Sequence, residues 1–145
     1  MTTDGGLATL LRAHFKHWHF QRIETGAIGA GVPDLNYCGL KIGEGWLELE
    51  TCKGWRLEIR PEQNAWIQQR IRAGGRVHIL ARRTNAAGPR KGTAADELWV
   101  WCGCKVEALM ISKLSLVLPL AVWRGGPAAW GWSELPSILT TRCNH

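Results

Sequence analysis

Three acidic side chains in the first third of the chain have the type and spacing for metal chemistry. Asp34 closes the stretch Gly31-Val32-Pro33-Asp34, while Glu48 and Glu50 lie in Trp46-Leu47-Glu48-Leu49-Glu50. Side chains alternate faces along an extended strand, so Trp46, Glu48 and Glu50 share one face and Leu47 and Leu49 take the other. The leucines then point to a core, and the glutamates to a cleft or to solvent. Pro33 has a fixed φ and biases Val32 toward extended geometry, so Asp34 is expected to open a strand. Glycines at 39, 43 and 45 can turn the chain back and set Asp34 beside Glu48 in a hairpin. Hard carboxylate oxygens that converge in this way suit Mg2+ or Mn2+, whose octahedral shells take carboxylate and water. Spacing alone fits solvated acids on an exposed strand face equally well, since charged side chains are mostly exposed.

Read in order, Gly31-Val32-Pro33-Asp34, Trp46-Leu47-Glu48-Leu49 and Arg60-Pro61-Glu62-Gln63 resemble the PD-(D/E)XK nuclease signature. The nearest variant is the small phage-type VRR-NUC nucleases, relatives of Holliday-junction resolvases. The resemblance spans roughly residues 18–83, and the ordered trio is far more specific than any one of its parts. It implies an α/β fold with a restriction-endonuclease-like core, a mixed β-sheet flanked by helices. The implied activity is metal-dependent DNA endonuclease cleavage of phosphodiesters, on branched, flapped or Holliday-junction DNA. Asp34 and Glu48 are then the Mg2+ or Mn2+ ligands, with the Leu49 backbone carbonyl as an extra oxygen. Gln63 supports the site, and Glu24 matches an acidic residue carried upstream. The metal's contribution is to lower the pKa of a water and to stabilise the pentavalent phosphate.

The departure is at Glu50, where the family normally carries lysine. A lysine there helps orient the attacking water and neutralises charge growing on the phosphate. A glutamate instead adds a third negative charge, which tightens cation binding, raises at least one carboxylate pKa in the metal-free state and repels the phosphate. Glu50 is therefore an engineered inactivation, a natural loss of catalysis with the binding surface kept, or a change covered by another basic residue. Lys53 is the nearest replacement. Strand parity turns it away from Glu48 unless a bulge or the strand end near Gly54 swings it round. Arg56 is the next candidate.

The elements that must hold these residues fit one domain over residues 1–145, with the motif core about 18–83 and residues 93–145 completing the core or a dimer contact. A chain of 145 residues and 16.1 kDa, 46% hydrophobic, is long enough to bury a core. Its net charge is +6 with a pI near 9.4. From Lys53 to Lys91 there are ten Lys or Arg against two acids, Glu58 and Glu62, while the rest of the chain has eight basic and ten acidic residues. A basic surface just downstream of an acidic site suits a metal-dependent nuclease, because cationic groups gather the phosphate backbone. The candidate DNA contacts are Lys53, Arg56, Arg60, Arg70, Arg72, Arg82, Arg83, Arg90 and Lys91. The other explanation is charge for solubility alone.

Taken along the chain, Asp4 caps a helix whose Leu7, Leu10, Leu11, Phe15 and Trp18 recur at helical spacing. On that helix His14 and His17 are three apart, a spacing compatible with a metal pair, though half-buried surface histidines are the simpler reading. Phe20 to Glu24 reads as a strand, and Thr25 to Gly31 as a Gly-rich loop that lets backbone approach DNA. Trp55 to Ile59 is a short strand or a loop. Pro61 then fits the first position of a second helix, with Glu62 favourable in its first turn and Gly74-Gly75 at its end. Val77 to Ala81 reads as a buried strand reached by a parallel crossover. Arg82 to Gly92 reads as a phosphate-gripping loop. Leu98 to Trp101 is a strand, Val106 to Ile111 a short helix, and Ser133 to Thr140 a closing helix. Leu114 to Trp123 is broken by Pro119 and too short for a membrane span, so it is core or an edge that a second copy covers.

Five cysteines without C-x-x-C spacing, and a polar, glycine-rich start, point to reduced thiols in a cytoplasmic protein of a phage or bacterium. A zinc module using Cys102, Cys104 and a histidine is the less favoured alternative. Nine tryptophans could stack on unpaired bases. Core or dimer contacts account for them better, because base stacking needs exposed rings in a basic groove. The remaining expectations are a homodimer, since cutting a junction symmetrically needs two sites, and no membrane association. The contrasting functions are a non-catalytic DNA-binding module on the same fold and a protein-interaction module built on the Trp-rich tail.

Overall fold

A computed structural model describes residues 4–23, 31–84 and 95–142. Glu24, Arg90, Lys91 and most of the two loops expected to approach DNA lie outside the described residues. The element order is α1 (Leu7–His14), β1 (His19–Arg22), β2 (Leu35–Gly39), β3 (Gly43–Cys52), α2 (Pro61–Arg72), β4 (Val77–Arg83), β5 (Glu97–Cys102), α3 (Val106–Ile111), β6 (Ala121–Trp123) and α4 (Leu135–Leu139). The six strands form one mixed sheet in sequential order. Only the β3–β4 pair is parallel, joined through α2, and the other neighbours are antiparallel. No helix among the described residues is long and apolar enough to cross a membrane.

Strand parity divides the core between the two faces of this sheet. On one face Leu47 and Leu49 of β3 join Leu35, Tyr37, Leu80, Leu98 and Val100 beneath α1, α4 and Trp130. On the other, Val77, Ile79, Ala81, Trp99 and Trp101 pack under Ile67 of α2 and Val106 and Leu109 of α3. Among the described residues the second face is covered only over β3 to β5. On β1 and β2 its side chains His19, Gln21 and Cys38 are exposed and Asn36 is half-buried. A polar shelf is thus left beside α2, and Asp34, Glu48 and Glu50 open onto this face.

Several expectations are corrected. The first helix ends at His14, so Phe15 and Trp18 fold back as a stacked pair at 4.2 Å instead of extending the stripe. His17 is then off the helix, and His14 stacks on Trp132 at 4.1 Å, which removes the proposed metal pair. The first strand is His19–Arg22. Residues 55–59 are irregular. β4 runs on through Arg82 and Arg83, which therefore belong to the sheet and not to a loop. Cys102 is disulfide-bonded. Cys38, Cys52 and Cys104 are free, so the reduced-thiol reading holds for them and not for Cys102. Leu114 to Trp123 splits into a 3-10 turn at Leu114–Leu116 and the edge strand β6.

The buried tryptophans serve the core. Trp101 donates to the Val117 carbonyl at 3.0 Å and Trp130 to the Asp96 carbonyl at 3.1 Å, which satisfies each indole N–H inside an apolar layer.

Candidate active site

The β2–β3 hairpin is what brings the acids together. Gly39 pairs with Gly43, whose φ of 77° closes a three-residue turn that a side chain at this position would strain. From there the register runs to Leu35 opposite Leu47, and one further step sets Asp34 opposite Glu48 on the same face. Asp34 is the neighbour that, after burial, raises the Glu48 pKa most. Asp34 also accepts a hydrogen bond from the Leu49 N–H at 2.9 Å. Continuing the same register puts Pro33 opposite Leu49. Proline has no N–H to give, so the ladder offers the Leu49 carbonyl no donor on the side where Asp34 stands.

α2 closes the site from above. Its first helical residue is Pro61, and the Arg60 N–H just before it donates to Gln63 Oε1 at 2.7 Å. That bond fixes the Gln63 amide, whose Nε2 donates to Glu48 Oε1 at 3.2 Å. Gly31, at φ 91°, lies against the Glu62 carbonyl so closely that a Cβ would clash with it. The glycine of the Gly31-Val32-Pro33-Asp34 stretch therefore lets the chain pass under the first turn of α2 on its way to Asp34. Glycine serves close approach here, as the sequence reading expects, but to the protein's own helix.

The electrostatics follow from burial. Glu48 is 2% exposed and its Oε2 has no hydrogen-bond partner among the described residues. Burial, then Asp34 and then Glu50 push its pKa up to about 11, against a small opposing pull from Arg60, so without a cation this carboxyl is protonated at neutral pH. Glu50 is raised to about 7, first by burial and then by Asp34, with Arg60 opposing and Glu58 adding to the rise. Glu58 is an acidic neighbour that sequence reading does not pick out. It lies in the irregular segment before α2, where no periodicity reveals which way a side chain faces.

This arrangement can take a hard divalent cation. Glu48 Oε2, an Asp34 oxygen and the Leu49 carbonyl are all oxygen donors, and a buried carboxyl oxygen without a partner among the described residues is a group a cation can satisfy. Among the described residues no three His, Cys, Asp or Glu side chains form a ready-made cage. A cation held here would have two carboxylates and would complete its shell with water, as Mg2+ commonly does.

The basic candidates separate. Arg60 sits at the α2 N-terminus with 62% of its side chain exposed and a loose contact to Glu62 at 3.6 Å. Arg70 is exposed and stacks over Trp66 at 4.8 Å and Trp46 at 5.3 Å, while Arg72 is exposed on the same helix. Lys53 is exposed in the turn just past β3. Arg56 is exposed and reaches the Ile111 carbonyl at 3.4 Å. Arg82 and Arg83 are corrections to the DNA surface. Arg82 is 7% exposed and grips Asp96 through two bonds of 2.9 and 2.6 Å, with a third to the Gly5 carbonyl. Arg83 bonds Glu97 at 2.9 Å and the Gly54 carbonyl at 2.7 Å. Both are held by the protein and not offered to phosphate.

Comparison with known proteins finds no matching family model, no matching curated protein and no matching solved structure.

Proposed function

We propose that this protein is a Mg2+- or Mn2+-dependent DNA endonuclease with a restriction-endonuclease-like core, acting on branched or flapped DNA as a homodimer. The observation that carries the reading is Glu48, a buried carboxyl with one unpartnered oxygen, set beside Asp34 at the edge of an uncovered sheet face. A buried carboxyl set beside a second acid, which must hold its proton far above its usual pKa to stay buried, is costly for a structural role alone. The exposed Arg60, Arg70 and Arg72 along α2 give that side a positive border suited to phosphate.

When bound, the cation supplies Lewis-acid stabilisation of phosphate charge and a more acidic water. The chain's own residues do the rest. Asp34 and Glu48 hold the ion, Gln63 keeps the Glu48 carboxyl in orientation, and the shelf of β1 and β2 admits the nucleic acid. Two copies would cut the two strands of a junction.

The test is cleavage of labelled linear, flap and four-way DNA in Mg2+ or Mn2+. Nicking that requires the metal and disappears in Asp34→Ala supports the reading. Salt-sensitive binding without nicking instead supports a DNA-binding module that retains the site's shape. Absence of DNA affinity at moderate salt rejects both.

A further inference from the structure

Phosphodiester hydrolysis adds one water across a P–O ester bond. The water oxygen bonds phosphorus, the ester oxygen leaves with the bonding pair, and the water's proton reaches that oxygen through solvent. Charge therefore builds on the phosphate, and the neighbouring acids Asp34, Glu48, Glu50 and Glu58 oppose it unless a cationic side chain faces the same place.

The fold limits which side chain this is. Lys53 lies beyond the end of β3 and Arg56 extends to the Ile111 carbonyl. Arg70 is stacked on two tryptophans, and Arg82 and Arg83 are ion-paired. Arg60 differs from all of them. Its backbone N–H is fixed by Gln63, and Gln63 in turn holds Glu48, so two hydrogen bonds tie this residue to the orphaned carboxyl. Its side chain is largely exposed, with only the loose Glu62 contact at 3.6 Å. It also stands at the positive end of the 12-residue helix α2.

Resting on the nuclease reading above, we infer that Arg60 supplies the positive charge for the phosphate at the Asp34–Glu48 site, donating its guanidinium N–H groups to non-bridging oxygens. Arginine stays protonated throughout, so the residue stabilises charge and takes no proton from water. Neither Lys53 nor Arg56 is then needed to replace the lysine that Glu50 displaces.

The experiment compares the unsubstituted protein, Arg60→Ala, Arg60→Lys and Arg60→Ala with Glu50→Lys in three measurements. These are cleavage of flap DNA in Mn2+, binding of the same DNA in EDTA across a salt series, and the Mn2+-induced shift in melting temperature. Arg60→Ala is expected to lower the cleavage rate at saturating DNA by about 100-fold or more, the scale of losing one charge-stabilising donor. The slope of log affinity against log salt should fall by about one unit, and the Mn2+ shift should persist. Arg60→Lys should keep most of the rate, and Glu50→Lys should restore cleavage to Arg60→Ala.

Unchanged cleavage in Arg60→Ala, with Asp34→Ala dead, overturns the assignment and leaves the nuclease reading standing. Loss of the Mn2+ shift in Arg60→Ala also overturns it, because the residue would then be holding the fold of the site. No metal-dependent cleavage by the unsubstituted protein overturns the nuclease reading and this assignment together.

Discussion

Two clusters of buried charge lie at neighbouring positions of the same sheet and are built on opposite principles. At the end of β4, Arg82 is paired with Asp96 and Arg83 with Glu97, and Glu97 also receives Trp99 Nε1 at 2.9 Å and Arg124 at 3.2 Å. On β3, where Glu50 stands beside Ala81 in the ladder, acids gather around Glu48 and one of its oxygens is left over. In the first cluster each charge meets its opposite, which is what burial demands of a structural ion pair. In the second, acids are pressed together, and Arg60, the cation that opposes their pKa shifts, is outside on the surface. The contrast separates a region assembled for stability from one assembled to receive something.

The same kind of substitution should therefore have opposite signs in the two places. The largest effect is expected for Arg82→Ala, which strands a buried partner and should cost about 3–5 kcal/mol by urea or thermal unfolding. A loss below about 1 kcal/mol would mean that the pair is not the strut described. Glu48→Gln should do the reverse in metal-free protein at pH 8. It removes a carboxyl that is ionised in the unfolded chain at pH 8 but must take up a proton to be buried, and it keeps an acceptor for Gln63, so stability should rise by an amount on the order of 2 kcal/mol. Destabilisation there would place Glu48 among the structural acids and erase the contrast.

The pH dependence sharpens it further. Glu48 and Glu50 have folded pKa values raised to about 11 and about 7. Their contribution to stability is fully present below the unfolded value near 4.5 and is lost as pH rises, through about 7 for Glu50 and on toward about 11 for Glu48. Metal-free protein should lose on the order of 1 kcal/mol per pH unit per group across this window, and Mn2+ should reverse the loss more at pH 8 than at pH 5. A melting temperature flat from pH 5 to pH 8 without metal goes against it. The smallest effect is expected for Arg83→Ala, about 1–2 kcal/mol for a pair at the edge of burial, with no change in the response to Mn2+.

How much of this was legible in the sequence depends on how local the signal is. The alternation from Trp46 to Glu50 is a two-residue period, so the division of its side chains between core and cleft could be read directly. The hairpin glycines brought Asp34 to the same face, and Pro61 with Gly74-Gly75 bounded α2. Arg82 and Arg83 were misplaced because their composition is that of a basic loop, and the partners that bury them, Asp96 and Glu97, come from a strand that local pattern does not connect to them. Glu58 was missed because an irregular segment carries no parity. The end of the first helix at His14 was hidden by apolar residues that keep helical spacing while the backbone turns to stack Phe15 on Trp18.

The claim beneath the whole account is that Asp34 and Glu48 together bind a divalent ion, and calorimetric titration of Mn2+ into metal-free protein tests it most directly. The account predicts one saturable site that releases about one proton on binding at pH 7, because Glu48 must ionise, and that is lost in both Asp34→Ala and Glu48→Gln. No heat of binding at millimolar Mn2+, or unchanged binding in Asp34→Ala, would contradict it.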